Sequence, residues 1–402
     1  MAMWRLGFFF HEMGYGLLSI FLALYIVSIE PGSGLFYIGI LSAIALFLAI
    51  PASFFWGYVC DKTRHYKRYI LLSFFASTIL LYVFTLTASV WLLIALYAVL
   101  AIMHVAHEAP KNVLIAELYS HDAWEKSFAF YEGFTEVGWL IGLLLGFVLT
   151  TLGVGPANTL FVCSGLNLVA FVLSLLLIRD PAMIFERGLV SIEKTLDFAS
   201  RGLFLASRIM DGVSVDERLK KESVWIFGVG LVLFSLATSI LFTPMPIFVS
   251  KVVQAAYLPE GLVFAIFVLN SGGAIAGYAF AGSRSSDSAG KRHLSKLVLF
   301  RGFLTFLLIL VLQVAAYAVT FVTGILILMG FAYAMFLIYT LSLSMELIPA
   351  GKAGLFNVLM GLGSAIGAFM GPFIAQRFGF LAVFVTALTI FVVAYVAFRI
   401  FR

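Results

Sequence analysis

The hydrophobic pattern along this chain is a succession of long apolar runs, without the one-sided stripes of a soluble fold. Six runs cover 4–29, 34–60, 69–87, 91–118, 127–151 and 157–178, and six more cover 223–250, 259–282, 294–317, 319–347, 354–377 and 380–399. A helix crosses a bilayer with about 20 mostly apolar residues, because it satisfies its own backbone polar groups inside the hydrocarbon. Polar punctuation between runs is short: Glu30-Pro31-Gly32-Ser33-Gly34, Asp61 to Arg68, Gly153 to Asn158 and Ser283 to His293. Such clusters of Gly, Pro and polar residues mark turns. The pattern predicts an all-α integral membrane protein of twelve spans, grouped six and six.

Composition sharpens this. Of the 402 residues 63% are hydrophobic and only 11% charged, against about 25% charged in soluble domains, which excludes a water-soluble globule. Lys and Arg stay on the cytoplasmic side of a membrane. Of the 25 such residues, 23 fall at the N-terminus, the even-numbered gaps and their flanking helix ends, or the C-terminus, leaving Lys251 and Arg377 opposite. Both termini are therefore expected in the cytoplasm, in a multi-pass protein of the plasma membrane. The net charge of +5 reflects this asymmetry and gives no reason to expect nucleic acid as a partner. The first run is too long for a signal-peptide core and lacks a small-residue cleavage site. Cys60 and Cys163 lie in or beside apolar spans and predict neither a disulfide framework nor a metal knuckle.

The expected domains are a bundle over 1–178, a linker over 179–222 and a second bundle over 223–402. In the linker, Phe185, Leu189, Ile192, Leu196 and Ala199 recur at steps of four and three among charged residues, as in an amphipathic helix lying on a membrane or under a bundle. The halves also repeat. A constant offset of 229 residues carries Glu117 onto Glu346, Gly138 onto Gly367 and Gly142 onto Gly371. The gap after span two, with Gly57, Asp61, Lys62, Arg64, Lys67 and Arg68, has a counterpart after span eight in Asp287, Gly290, Lys291 and Arg292. Parallel six-span repeats are a transporter architecture, with cargo held near the midplane.

On these features the whole chain resembles the major facilitator superfamily. The loop motif of that family reads Gly-x-x-x-Asp-Arg-x-Gly-Arg-Arg; the first copy here has Lys62 for the first Arg and no inner Gly, and the second has Ser288 for that Arg. The resemblance implies two six-helix bundles and alternating access. It also implies a conformational latch formed by Gly57, Asp61, Lys62, Lys67, Arg68 and Glu117, repeated by Asp287, Lys291, Arg292 and Glu346.

Ionisable residues inside hydrocarbon cost at least about 2–3 kcal/mol, so each is a functional candidate. They are His11 and Glu12 in span one, His104, His107, Glu108 and Lys111 in span four, and Glu132 and Glu136 in span five. His104, His107 and Glu108 share a helix face by spacing, as do Glu132 and Glu136. Arg301, Glu346 and Lys352 are read as lying near the cytoplasmic edge of the second half. A cluster of carboxylates and imidazoles suits proton uptake and release as a cavity switches sides. Alternatives are a transition-metal site of His104, His107, Glu108 and a span-five glutamate, or Glu108 paired structurally with Lys111. Drug/proton antiporters of the resembled family carry an arginine in span four, which the stretch Leu96 to Ala106 lacks.

Small-x-x-x-small ridges allow close helix approach; Gly138, Gly142 and Gly146 form one, and Gly363, Gly367, Gly371 and Pro372 another, with a hinge as the sharper reading. Thr243-Pro244-Met245-Pro246 should break span seven. Asn270, Tyr333, Phe336, Tyr339 and Asn357 are cavity candidates in the second half. With 42 Phe, 16 Tyr and 6 Trp, a greasy pocket fits an amphipathic organic solute better than a sugar. No phosphate-binding Gly-x-x-x-x-Gly-Lys-Ser/Thr loop is present and no filter loop is visible. The expected function is proton-coupled export of small organic molecules by a monomer needing no cofactor. Metal-ion transport and a membrane-embedded metal enzyme are the alternatives.

Overall fold

The computed structural model describes residues 3–118, 124–180, 224–283, 290–312, 317–347 and 354–401, and every regular element among them is helical. Spans one, two and three are Arg5–Ile29, Gly34–Thr63 and Tyr66–Phe84. Span four is two helices, Val90–His104 and Glu108–Leu118, joined by one tight turn at Val105–His107. Spans five and six are Trp124–Thr151 and Pro156–Leu177. Span seven is again two pieces, Val224–Phe242 and Met245–Ala255. Spans eight, nine and ten are Leu262–Ser283, Gly290–Val311 and Ala318–Leu347, and one helical run, Gly354–Phe401, holds both eleven and twelve. The amphipathic linker lies outside the described residues from 181 to 223.

The three interruptions have local causes. Pro110 has no N–H to offer the Ala106 carbonyl one turn back, and its ring crowds that turn, so the chain tightens there. Pro244 and Pro246 end one helix of span seven and open the next, where a missing N–H costs nothing. Gly379, at φ 81° and ψ 175°, occupies a region that essentially only glycine reaches. There the chain reverses. Gly363, Gly367 and Gly371 lie in turn against Val232, Leu236 and Ile240 of span seven, whereas Phe384, Phe391 and Phe398 pack back along it against Phe248, Phe234 and Phe227. Val358–Phe401 is thus two crossings. It is one of eleven stretches among the described residues long and apolar enough to cross a membrane.

Glycine sets how closely the helices cross. A Cβ on Gly138 or Gly142 would strike the carbonyl of Phe9 or Met13 in span one, and one on Gly367 or Gly371 would strike that of Leu236 or Ile240 in span seven. Span five therefore lies on span one as eleven lies on seven. Spans two and four pair as do eight and ten, where Gly273 and Gly277 meet Ile327 and Phe331. The first and last six spans also meet in a repeated way, span two on eleven and span eight on five. Gly39 packs on Phe369 and Pro372, Gly146 on Phe264, and Gln376 Nε2 donates to the Gly32 carbonyl at 2.7 Å. Outward faces carry exposed Phe47, Trp91, Phe161 and Phe378, as an exterior bathed in lipid requires.

Span nine begins at Gly290, earlier than its hydropathy suggests. Arg301 is fully buried, and its guanidinium lies beside Phe234 and Phe242 of span seven and Phe391 of span twelve, between the ends of those spans, deeper than the cytoplasmic edge.

Candidate functional site

Spans one, three, four and six bring three imidazoles together. His11 and His107 are completely buried, His104 is half-buried, and one ring nitrogen of each lies within 4.8 Å of the others. Asn167 of span six donates from Nδ2 to the Cys163 carbonyl at 2.9 Å, which fixes its amide orientation. Its Oδ1, 2.6 Å from His11 Nδ1, is then an acceptor, so His11 carries a proton on Nδ1. His11 Nε2 lies 3.1 Å from His104 Nδ1. With both rings neutral, His104 donates this bond and keeps its other nitrogen as an acceptor. Ser73 Oγ lies 3.1 Å from the His104 carbonyl and 3.2 Å from His107 Nδ1, tying span three to the turn in span four.

Behind His107 stands an ion pair. Glu108 accepts from Lys111 Nζ at 2.6 Å and lies 3.4 Å from His107 Nε2. The ammonium also sits 5.2 Å from the Tyr131 ring. The turn at Val105–His107 turns His107 edge-on to His104, with ring centroids 4.9 Å apart.

His104 also faces a central cavity of about 600 Å³, within the size range of small-molecule sites. Its walls come from both halves: Tyr15, Tyr97, His104 and Trp139 from the first, Phe242 and Asn270 from the second. Most of the remaining lining is Leu, Ile, Ala and Ser.

This fold and its central cavity are those of a known family of carriers. The model of the Major Facilitator Superfamily matches residues 6–357. The chain belongs to this superfamily. As a superfamily member it is a transporter and not an enzyme. No curated protein matches. Among solved structures, the human organic anion transporter MFSD10 (TETRAN) is similar at 15% identity, with 98% of each chain covered and a TM-score of 0.68. The nucleoside transporter NupG is similar at 14% identity, covering 99% of this chain and 98% of that one, TM-score 0.70. A peptide transporter POT in complex with sulfate is similar at 13% identity, covering 99% and 92%, TM-score 0.70.

Other candidates fall in different places. Glu12 and Glu136 are half-buried on spans one and five, and neither lines the cavity or joins the imidazole group. The side chains of Glu132, Asp61, Glu117, Lys291, Arg292, Glu346 and Asn357, and all of Asp287, lie outside the described residues. Of this superfamily member's loop motif, Gly57 has open space around it, Lys62 lies 5.8 Å from the Tyr58 ring and Arg68 is exposed. Lys67 reaches the end of span six, its backbone N–H donating to Asp180 and its Nζ to the Leu175 carbonyl, both at 2.7 Å. Asn270 lines the cavity and donates to the Leu326 carbonyl at 2.6 Å. Phe336 is fully buried, stacked on Phe234 at 3.4 Å, so its place is core packing. Tyr333 lies against Arg301 and Tyr339 is half-buried. Asn167 and Ser73 escaped sequence reasoning because neither is ionisable. The available signal was Asn167, an amide in the middle of span six.

Proposed function

We propose that this transporter couples proton movement to export of small amphipathic organic molecules, by alternating access between bundles at 1–178 and 223–402 joined through 179–222. The observation that carries the reading is His104, which stands in the cavity wall while hydrogen-bonded to the fully buried His11. Imidazole is the side chain whose charge changes near neutral pH. A proton taken by His104 on its outer nitrogen lets the Nδ1 proton pass to His11 Nε2, whose Nδ1–H is already held by Asn167. The charge then resides away from the cargo. Groups facing this pair are His107, Glu108 and Lys111 from span four, Tyr15 from span one, and Ser73 and Asn167 from spans three and six. The solved relatives carry organic anions, nucleosides and peptides by their descriptions, all small organic solutes, and the mostly apolar lining favours amphipathic ones. The proposed plasma-membrane location and cytoplasmic termini rest on the Lys and Arg distribution, and the proposed monomer needs no second copy to build the cavity. Proteoliposome flux of fluorescent aromatic solutes, with and without a pH gradient, tests it. Gradient-driven flux that His104→Gln and Glu108→Gln abolish is expected; flux indifferent to the gradient would overturn the coupling.

A second reading has its own observation. His11 Nε2 and His104 Nδ1 are 3.1 Å apart, near the roughly 3.3 Å spacing of two nitrogens about 2.0–2.1 Å from one tetrahedral metal. Three imidazoles suit a transition-metal cargo. Manganese or iron flux that His104→Ala abolishes would favour this reading.

A further inference from the structure

Span nine carries an arginine that the imidazole site does not use. Arg301 is fully buried, and its Nε, Nη1 and Nη2 have no hydrogen-bond partner among the described residues. Four rings surround the guanidinium: Phe234 at 5.2 Å, Phe242 and Tyr333 at 5.4 Å and Phe391 at 5.5 Å. Contact with aromatic faces returns about 2 kcal/mol when desolvated, whereas removing an ion from water costs several kcal/mol. Ring faces also leave the in-plane N–H fork without acceptors. That fork matches the paired oxygens of a carboxylate, sulfonate or phosphate.

The position fits cargo. The guanidinium lies between Phe234 and Phe242, on either side of the middle of Trp225–Ala255, and beside Phe391, so it is at the level where such carriers hold substrate. The 229-residue offset that relates the halves carries His104 onto Tyr333 and His107 onto Phe336. The aromatic cage thus occupies, in the second half, the place that the imidazoles occupy in the first. Phe242 belongs both to the cage and to the wall of the central cavity. One aromatic ring stands between the unpaired guanidinium and the cargo space.

We propose that Arg301 is the anion-recognition group of the cargo site. When the Phe242 ring turns aside, the guanidinium takes the anionic head of an amphipathic organic anion, and Phe234 and Phe391 pack against its apolar body. This rests on the reading of the central cavity as an organic-solute site. It goes further by fixing the charge of the cargo.

The test uses the full chain, purified in detergent and in proteoliposomes, with naphthoate, naphthalenesulfonate and naphthyl phosphate set against neutral naphthamide. Calorimetric titration should show at least one anion binding about tenfold or more tighter than the amide, as expected of a charge-assisted paired contact. Arg301→Met should reduce that preference to about twofold or less, and Arg301→Lys should retain part of it. The methionine variant should still fold, because exchanging a buried unpaired charge for an apolar chain is neutral or stabilising; monodisperse elution and thermal melting check this. Phe242→Ala should speed anion binding. Equal binding of anion and amide by the native chain, or an anion preference that survives Arg301→Met, would overturn the assignment while leaving the organic-solute reading intact. Failure of all four compounds to bind or to cross would overturn both.

Discussion

His11 Nδ1 and Asn167 Oδ1 lie 2.6 Å apart across 156 positions of sequence, and both residues are completely buried. Because Asn167 is itself held by the Cys163 carbonyl, this contact selects the tautomer of His11. Asn167→Leu leaves that N–H without an acceptor, at a cost of about 1–3 kcal/mol, whereas apolar replacement of both partners is close to neutral. Thermal melting in detergent should therefore show Asn167→Leu destabilised and His11→Phe/Asn167→Leu recovered only in part, because His104 Nδ1–H then loses the His11 Nε2 acceptor. A single variant as stable as the native chain contradicts the assignment.

The glycine crossings give a contrast between positions. Gly142→Ala and Gly371→Ala place a methyl against backbone carbonyls of Met13 and Ile240, so each should cost about 1–3 kcal/mol and slow transport. Gly57→Ala and Gly165→Ala meet nothing within 4 Å and should melt like the native chain. Equal effects in the two sets would show that close approach is not what these ridges provide.

Glu108 and Lys111 are unequal partners. The lysine side chain is 9% exposed and the glutamate side chain 42%. Glu108→Gln leaves an ammonium in a buried setting with its carboxylate removed; Lys111→Met leaves a half-exposed carboxylate that still meets His107. Glu108→Gln should therefore be the more destabilising, by about 1–2 kcal/mol. The reverse order in melting experiments would show that the lysine draws its main support elsewhere.

Gly379 has open space around it, yet its backbone conformation excludes side chains. Gly379→Ala should cost about 1–3 kcal/mol through backbone strain alone, with the hairpin of spans eleven and twelve loosening first. Hydrogen exchange over Phe378 to Phe384 measures this, and unchanged protection would count against it.

The candidate site was legible in part. His11, His104, His107 and Glu108 stand out because an ionisable group in an apolar run is costly enough to need a reason. Asn167 and Ser73 do not stand out, since small polar residues survive in membrane helices by bonding their own backbone. Tyr15, Tyr97 and Trp139 are hidden among 64 aromatic residues. The tight turn before Pro110 keeps His104 and His107 on one face and sends Glu108 behind His107, toward Lys111.

Span lengths, the superfamily, the two-fold repeat and the glycine ridges were written in the order of residues, because bilayer thickness and close helix crossing act on local windows of sequence. Tertiary structure alone decided that His11 meets Asn167, that Lys67 reaches span six, and that Arg301 lies caged in aromatic rings with no acceptor among the described residues. Those outcomes depend on how helices distant in the chain are rotated about their axes. Packing among many neighbours sets that rotation, and no single helix encodes it.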